Sequence, residues 1–217
     1  MHKLCIFDLD GTLTDTLESL TYSVNLTLQE LGADPITDEQ CKAFVGSGAR
    51  RLIERSLEAA GVDLERIEEA MEIYGRVFKK FCTYHVAPYE GITELLYALR
   101  ERGIQLAVLS NKPHLQTVDV VEMFFEENLF SHVQGQKEGI PRKPDPTAAL
   151  MIAEKFGVTP EECVYIGDSD VDMKTGTAAG MTTIGVAWGF RTKDVLLENG
   201  ADYIAERADE IKKIVLV

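Results

Sequence analysis

At 217 residues, with 45% hydrophobic and 27% charged side chains, the chain can bury a full core as one large domain or as a domain carrying an insertion, and its composition is not that of a disordered segment. A formal net charge of −14 repels polyanions and argues against a nucleic-acid partner, while a small anionic ligand stays admissible where cations gather locally. Cys5, Cys41, Cys82 and Cys163 form no CxxC pair, which speaks against a zinc site and a disulfide framework and fits a reducing cytoplasm. The opening "KLCIF" is too short for a signal-peptide core, and no apolar run approaches the ~20 residues of a membrane span, so a protein without membrane contact is expected.

Residues 4 to 8 read as a buried strand. From Thr16 the apolar positions Leu17, Leu20, Val24, Leu28 and Leu31 recur at helical spacing, with Asp15 or Thr16 able to cap and Gly32 ending the run. Further helices are predicted at about 38 to 45, 49 to 60 and 64 to 85, separated by "DPITD", "GSG" and "AGVD", with no strand between them. After "APYEG" the pattern changes to a helix ending near Arg102, the strand "IQLAVLS", a helix after Lys112 and a weak strand at His132 to Gln134. A helix from about Pro146, the strand "CVYIGD", another helix and the strand "TTIGVA" follow. That alternation predicts a parallel sheet with helices on both faces. The simplest organisation is an α/β core of residues 1–14 and 88–217 with a helical insertion at 15–87.

The first strand ends abruptly in "FDLDG". Alternate strand residues share a face, so Asp8 and Asp10 bring two carboxylates together. Two unit charges ~4 Å apart repel by about 4 kcal/mol at an effective dielectric of ~20, and a bound cation or a shared proton would relieve this. "VLSNK" and "IGDSDVD" end two later strands. In an open parallel sheet such carboxyl ends form one crevice, so Asp8, Asp10, Ser110 and Asp168 are expected to converge. Lys143, in the loop "RKPDP", lies on the same side and can balance them. The four histidines show no metal-ligand spacing, and only His114 follows one of these strand ends.

These segments resemble the four motifs of the haloacid dehalogenase superfamily: "DLDGT", Ser110 after an apolar strand, Lys143 before "PDP", and "GDSDVD". The helical insertion is similar to the first class of cap in that superfamily. "VGSGARRLIERSL", "KPDPTAAL", "GVAWGF" and "VLLENGADYI" resemble its phosphoglycolate phosphatase branch. The resemblance implies a Rossmann-like core with an α-helical cap and a two-step phosphoryl transfer. Asp8 is then the nucleophile that forms an aspartyl phosphate, and Asp10 the general acid and base. Mg²⁺ would be held by Asp8, the backbone carbonyl of Asp10, and Asp168. Ser110, the amide of Asn111, Gly11 and Thr12 would serve the phosphoryl group, Lys143 would offset its charge, and Asp172 would hold a metal-bound water or orient Lys143. A second anionic group on the substrate, such as the carboxylate of 2-phosphoglycolate, would be read by the cap. Gly46 and Gly48 permit an unusual turn there before a helix, and Arg50 is the expected ligand. A monomer or weak homodimer acting on a small phosphorylated metabolite is expected.

Two other classes fit parts of the pattern. A phospho-accepting receiver domain also sets acidic residues, Ser or Thr and Lys at strand ends, but its acceptor lies on a later strand and it has no cap. A dehalogenase would lack the second aspartate. Pyrophosphatases, sugar-phosphate phosphatases and phosphomutases of the same superfamily share the motifs, and a mutase would show itself by needing a sugar bisphosphate.

Overall fold

The computed structural model describes residues 2–216. Its centre is β1 (Leu4–Phe7), four residues with no exposed side chain. Such a strand is apolar on both faces, which suits the middle of a parallel sheet covered on each side. Leu4 and Ile6 enter one hydrophobic cluster and Cys5 and Phe7 another, as the two-residue period of a strand requires.

The chain then forms a very short strand β2 (Thr14–Asp15) and the helices α1 (Leu17–Glu30), α2 (Asp38–Phe44), α3 (Ala49–Ala59) and α4 (Ile67–Phe81), and returns through β3 (Ala87–Pro88). β2 and β3 pair antiparallel, Thr14 with Pro88 and Asp15 with Ala87, so the outgoing and returning chains leave the sheet side by side. The four helices share a core of their own, built around Leu20, Val24, Leu28, Leu57, Tyr74 and Phe78. Asp15 rather than Thr16 meets the start of α1, accepting from the Leu17 amide at 3.2 Å. α2 begins at a capping box in which Thr37 and Gln40 bond reciprocally. The single helix expected at 64 to 85 is shorter. A 3₁₀ turn occupies Leu64–Arg66, where Asp63 caps the Glu65 amide, and α4 ends at Phe81.

Beyond β3 come α5 (Ile92–Glu101), β4 (Gln105–Pro113), α6 (His114–Phe124), β5 (His132–Gln136), α7 (Thr147–Lys155), β6 (Cys163–Gly167), α8 (Asp170–Ala178) and β7 (Thr182–Val186). The sequence pattern stops there, whereas the chain continues through α9 (Lys193–Glu198), β8 (Tyr203–Ala205) and α10 (Ala208–Val215). The main sheet runs β5-β4-β1-β6-β7-β8 with every pairing parallel. Because β1 is flanked by β4 on one side and β6 on the other, the strand order switches at its carboxyl end, where a crevice opens. No helix among the described residues is long and apolar enough to cross a membrane.

Candidate active site

Asp8 leaves β1 with its amide still bonded to the Ile166 carbonyl of β6 at 2.9 Å, so the neighbouring strand fixes where its side chain starts. Gly11 follows with φ of 82°. A Cβ there would collide with the Asp168 carboxylate, so glycine is required both by the backbone angle and by the close approach. Ser110, Asn111 and Lys112 end β4, Lys143 enters from the loop before α7, and Asp168 leaves β6. Ser169 caps α8, and its backbone and hydroxyl both donate to Asp172 Oδ2.

The expected carboxylate pair is split between two lysines. Lys143 Nζ lies 2.9 Å from Asp8 Oδ1 and donates to Asp172 Oδ1 at 2.7 Å and to the Leu109 carbonyl at 3.0 Å. Lys112 Nζ donates to Asp10 Oδ1 at 2.9 Å and sits 4.7 Å from the centre of the Phe78 ring. Both ammonium groups are buried, with side-chain exposures of 1% for Lys112 and 2% for Lys143. Burial opposes the charge on Lys143, but Asp172 and Asp8 outweigh it and hold its pKa well above the ordinary lysine value. Asp8 is pushed up to about 7, first by burial and then by the negative charge of Asp172, with Lys143 only partly offsetting them. Asp168 rises well above the ordinary carboxyl range through burial and the charges of Asp172 and Asp8.

Asp8, Asp168 and Asp172 each offer an oxygen within 4.8 Å of the others. Asp8 Oδ1 is close enough to Lys143 for an ion pair, yet among the described residues no donor is aligned to hydrogen-bond it. Buried carboxylates left in that condition suit a hard divalent cation. Both Asp172 oxygens are engaged, one by Lys143 and the other by Ser169, which sets it to orient the lysine. Asp168 is aimed by the Phe190 amide at 2.7 Å and by the Thr12 hydroxyl at 3.4 Å.

Asp8, Asp10, Ser110, Asn111 and Asp168 meet in one crevice, lined from the helical side by Leu20, Val45, Gly48, Leu52, Tyr74 and Phe78, with a cavity of about 40 Å³. Lys143 underlies it through Asp8. Three expected placements need correction. Thr12 is fully buried and faces Asp168 rather than substrate space, and Gly11 serves by its close approach to that same carboxylate. Arg50 lies outside the crevice, 42% exposed, with both Glu68 carboxylate oxygens accepting from its Nη2 at 2.8 and 3.0 Å. On α3 it is Ala49 and Leu52 that face the crevice, which turns positions 50 and 51 away, and Arg51 pairs with Glu54. His114 also stands apart, its Nδ1 accepting from the Gly135 amide at 3.2 Å.

Two charged residues that line the crevice were not anticipated, Lys112 and Arg191. Lys112 stands two positions beyond Ser110 on the same strand, so the alternation that linked Asp8 to Asp10 would have found it. Arg191 follows "TTIGVAWGF" and thus the carboxyl end of another parallel strand.

Residues 5–186 match the haloacid dehalogenase-like hydrolase family. The chain belongs to that family. A phosphoglycolate phosphatase of Pseudomonas savastanoi pv. phaseolicola is 31% identical over 99% of this chain and 79% of its own length. One from Mannheimia succiniciproducens is 32% identical over 98% of both chains. The crystal structure of a predicted phosphoglycolate phosphatase from Haemophilus somnus superposes with a TM-score of 0.92, covering 98% of this chain and 97% of the other at 26% identity. This haloacid dehalogenase-like hydrolase is a phosphatase, a hydrolase of phosphoric monoesters.

Proposed function

We propose that the enzyme hydrolyses a small phosphate monoester whose leaving group carries a carboxylate, with 2-phosphoglycolate the foremost candidate, by Mg²⁺-dependent transfer through Asp8. The observation that carries this reading is the second buried lysine. Lys143 is committed to Asp8 and Asp172, whereas Lys112 lines the crevice beside Asp10, the residue that would meet the leaving group. A carboxylate on the leaving group is the natural partner for that cation. The helices α1–α4 act as the cap in this reading, and the paired β2 and β3 as its two-stranded stem.

In the first step a carboxylate oxygen of Asp8 attacks phosphorus in line, and the oxygen leaving phosphorus takes a proton from Asp10. Lys112, held beside Asp10, would pair with the substrate carboxylate as it arrives. In the second step Asp10 takes a proton from water as that water attacks the aspartyl phosphate, and inorganic phosphate leaves. Ser110 and backbone amides at the end of β4 hydrogen-bond the phosphoryl oxygens, while Lys143 balances the charge on Asp8 and phosphate. Asp8, the Asp10 carbonyl and Asp168 would hold Mg²⁺, which would neutralise charge on the phosphoryl oxygens.

The test is a rank order of kcat/KM with Mg²⁺ across 2-phosphoglycolate, pyrophosphate, hexose phosphates and p-nitrophenyl phosphate. 2-Phosphoglycolate is expected first. A hexose phosphate or pyrophosphate in first place defeats the substrate assignment, and activity that appears only with a sugar bisphosphate makes the enzyme a mutase.

A further inference from the structure

Arg191 lines the crevice but spends its donors elsewhere. It extends from the loop after β7, on the sheet side, into the helical segment. Nη1 donates to the Lys42 carbonyl at 2.6 Å, and Nη2 donates to the Val45 carbonyl at 2.7 Å. α2 ends at Phe44, so these are carbonyls of its final turn and exit. They lack partners within a helix and carry the negative end of its dipole. The nearest carboxylate, Asp170, lies 4.0 Å from Nε, beyond hydrogen-bond reach. A second bond crosses beside it, from Asn111 Nδ2 at the end of β4 to the Gly46 carbonyl at 2.9 Å. Gly48, with φ of 89°, turns the chain from this exit into α3 in a backbone conformation that favours glycine.

The same helix end supplies an internal comparison. The Phe44 carbonyl accepts from Arg55 of α3 at 3.1 Å, a bond that begins and ends within the helical segment. One arginine completes α2 from inside, and the other ties it to the sheet.

We propose that Arg191 is a positioning residue that fastens the helices over the phosphoryl site, its fork gripping the exit of α2 so that docking of residues 42–46 closes the crevice. The proposal rests on the reading of α1–α4 as a cap. Because the partners of Arg191 are backbone carbonyls, the grip is indifferent to the chemistry of the leaving group. Its loss therefore acts alike on every substrate that needs a closed crevice.

The full-length Arg191→Gln, Arg191→Lys and Arg55→Gln variants test this by steady-state kinetics on 2-phosphoglycolate and p-nitrophenyl phosphate, together with amide hydrogen exchange. Arg191→Gln is expected to lower kcat/KM by about 10-fold or more on both substrates, the order set by losing charge-assisted hydrogen bonds. Exchange should rise across residues 38–48 and on the faces of α1 and α4 toward the crevice, with β1, β4 and β6 unchanged. Arg191→Lys keeps the charge but not the two-point grip, and should recover part of the kinetics; it carries the comparison if Arg191→Gln does not fold. Arg55→Gln should speed exchange within α2 and leave kcat/KM within about 2-fold of wild type. Equal kinetic losses in the Arg191 and Arg55 variants would reduce Arg191 to a helix-end contact and overturn the proposal. Unaltered exchange on the crevice faces of α1 and α4 in the Arg191 variants would overturn it as well. If the wild-type enzyme hydrolyses neither ester, the substrate assignment fails while the exchange data still decide whether Arg191 holds the helices down.

Discussion

The two walls of the crevice are built on different principles. On the sheet side, charged side chains face charged side chains: Lys143 between Asp8 and Asp172, Lys112 on Asp10, and Asp168 aimed by a backbone amide. On the helical side the lining is apolar, with Leu20, Leu52, Tyr74 and Phe78, and the polar bonds to the sheet side end on backbone carbonyls of residues 42–46. In a network of buried charges each member removed leaves another uncompensated, most severely at Lys143, which balances two carboxylates. An apolar wall seated on carbonyls constrains shape and leaves side-chain identity freer. The chemistry is thus expected to fail steeply when the sheet side is altered, and selectivity to change gradually when the helical side is.

The steepest failure is expected at Asp8. Asp8→Asn is nearly isosteric, but the amide cannot attack phosphorus, and kcat should fall by roughly 10⁴-fold or more, as for loss of an enzymic nucleophile. Asp10→Asn should slow both steps and let phosphoenzyme accumulate, visible as acid-stable label from a ³²P-substrate. Wild-type turnover by Asp8→Asn, in protein shown by mass spectrometry to be free of reversion, would remove Asp8 from the mechanism.

Lys143 comes next and links activity to stability. Lys143→Met keeps the stem and removes the ammonium, leaving Asp8 and Asp172 buried without their cation. Breaking one side of such a buried network costs about 3–5 kcal/mol. For a domain of ~200 residues that corresponds to a fall in Tm of order 10 °C, measurable by calorimetry. A variant that unfolded at the wild-type temperature would mean that Asp8 and Asp172 are hydrated or take up protons rather than staying buried as unpaired charges.

The same burial sets a pH dependence. Asp8 has a folded pKa of about 7 against an ordinary 3.8. Between those values the folded chain keeps a proton that the unfolded chain releases, so stability is greatest below about pH 4 for this group and is lost as pH rises through 7. Asp168 shifts in the same direction. Metal-free protein should therefore lose stability from pH 5 to pH 8 through these carboxyls, and Mg²⁺ should raise Tm more at pH 8, where they are ionised, than at pH 5. A Tm increment that is the same at both pH values would contradict metal binding through these groups.

The contrast between the walls also explains what could be read from the sequence. Asp8, Asp10, Ser110, Lys143 and Asp168 were legible because strand ends of a parallel sheet must converge and the residue types there announce their chemistry. Asp172 was legible only as an alternative, since a position four residues past Asp168 fits a water-holding role and a lysine-orienting role; the engaged Oδ1 and Oδ2 favour the second. Arg191 was hidden because its partners are carbonyls, which every residue possesses and no residue type signals. The closing strand β8 was missed for a related reason: it is three residues long, and only one of its side chains, Ala205, is buried. So short a segment gives no readable alternation, whereas α10 carries Ala208, Ile211 and Val215 at helical spacing and was readable.

The gentlest prediction separates two cations, Lys112 on the sheet side of the crevice and Arg50 outside it on α3. If the leaving-group carboxylate is met from the sheet side, Lys112→Met should reduce kcat/KM for 2-phosphoglycolate by about 10- to 100-fold, the range of one lost charged hydrogen bond, and should act less on p-nitrophenyl phosphate. Arg50→Ala should leave both substrates within about 2-fold, because exposed ion pairs such as Arg50 with Glu68 contribute little. Glycine and charge in "VGSGARR" made Arg50 attractive as an anion ligand, but a guanidinium one turn-face away from Ala49 and Leu52 cannot share their view of the crevice. Selective loss of 2-phosphoglycolate hydrolysis in Arg50→Ala would require the arginine to leave Glu68 and swing inward when substrate binds. It would move recognition of the leaving group from the charged wall to the apolar one.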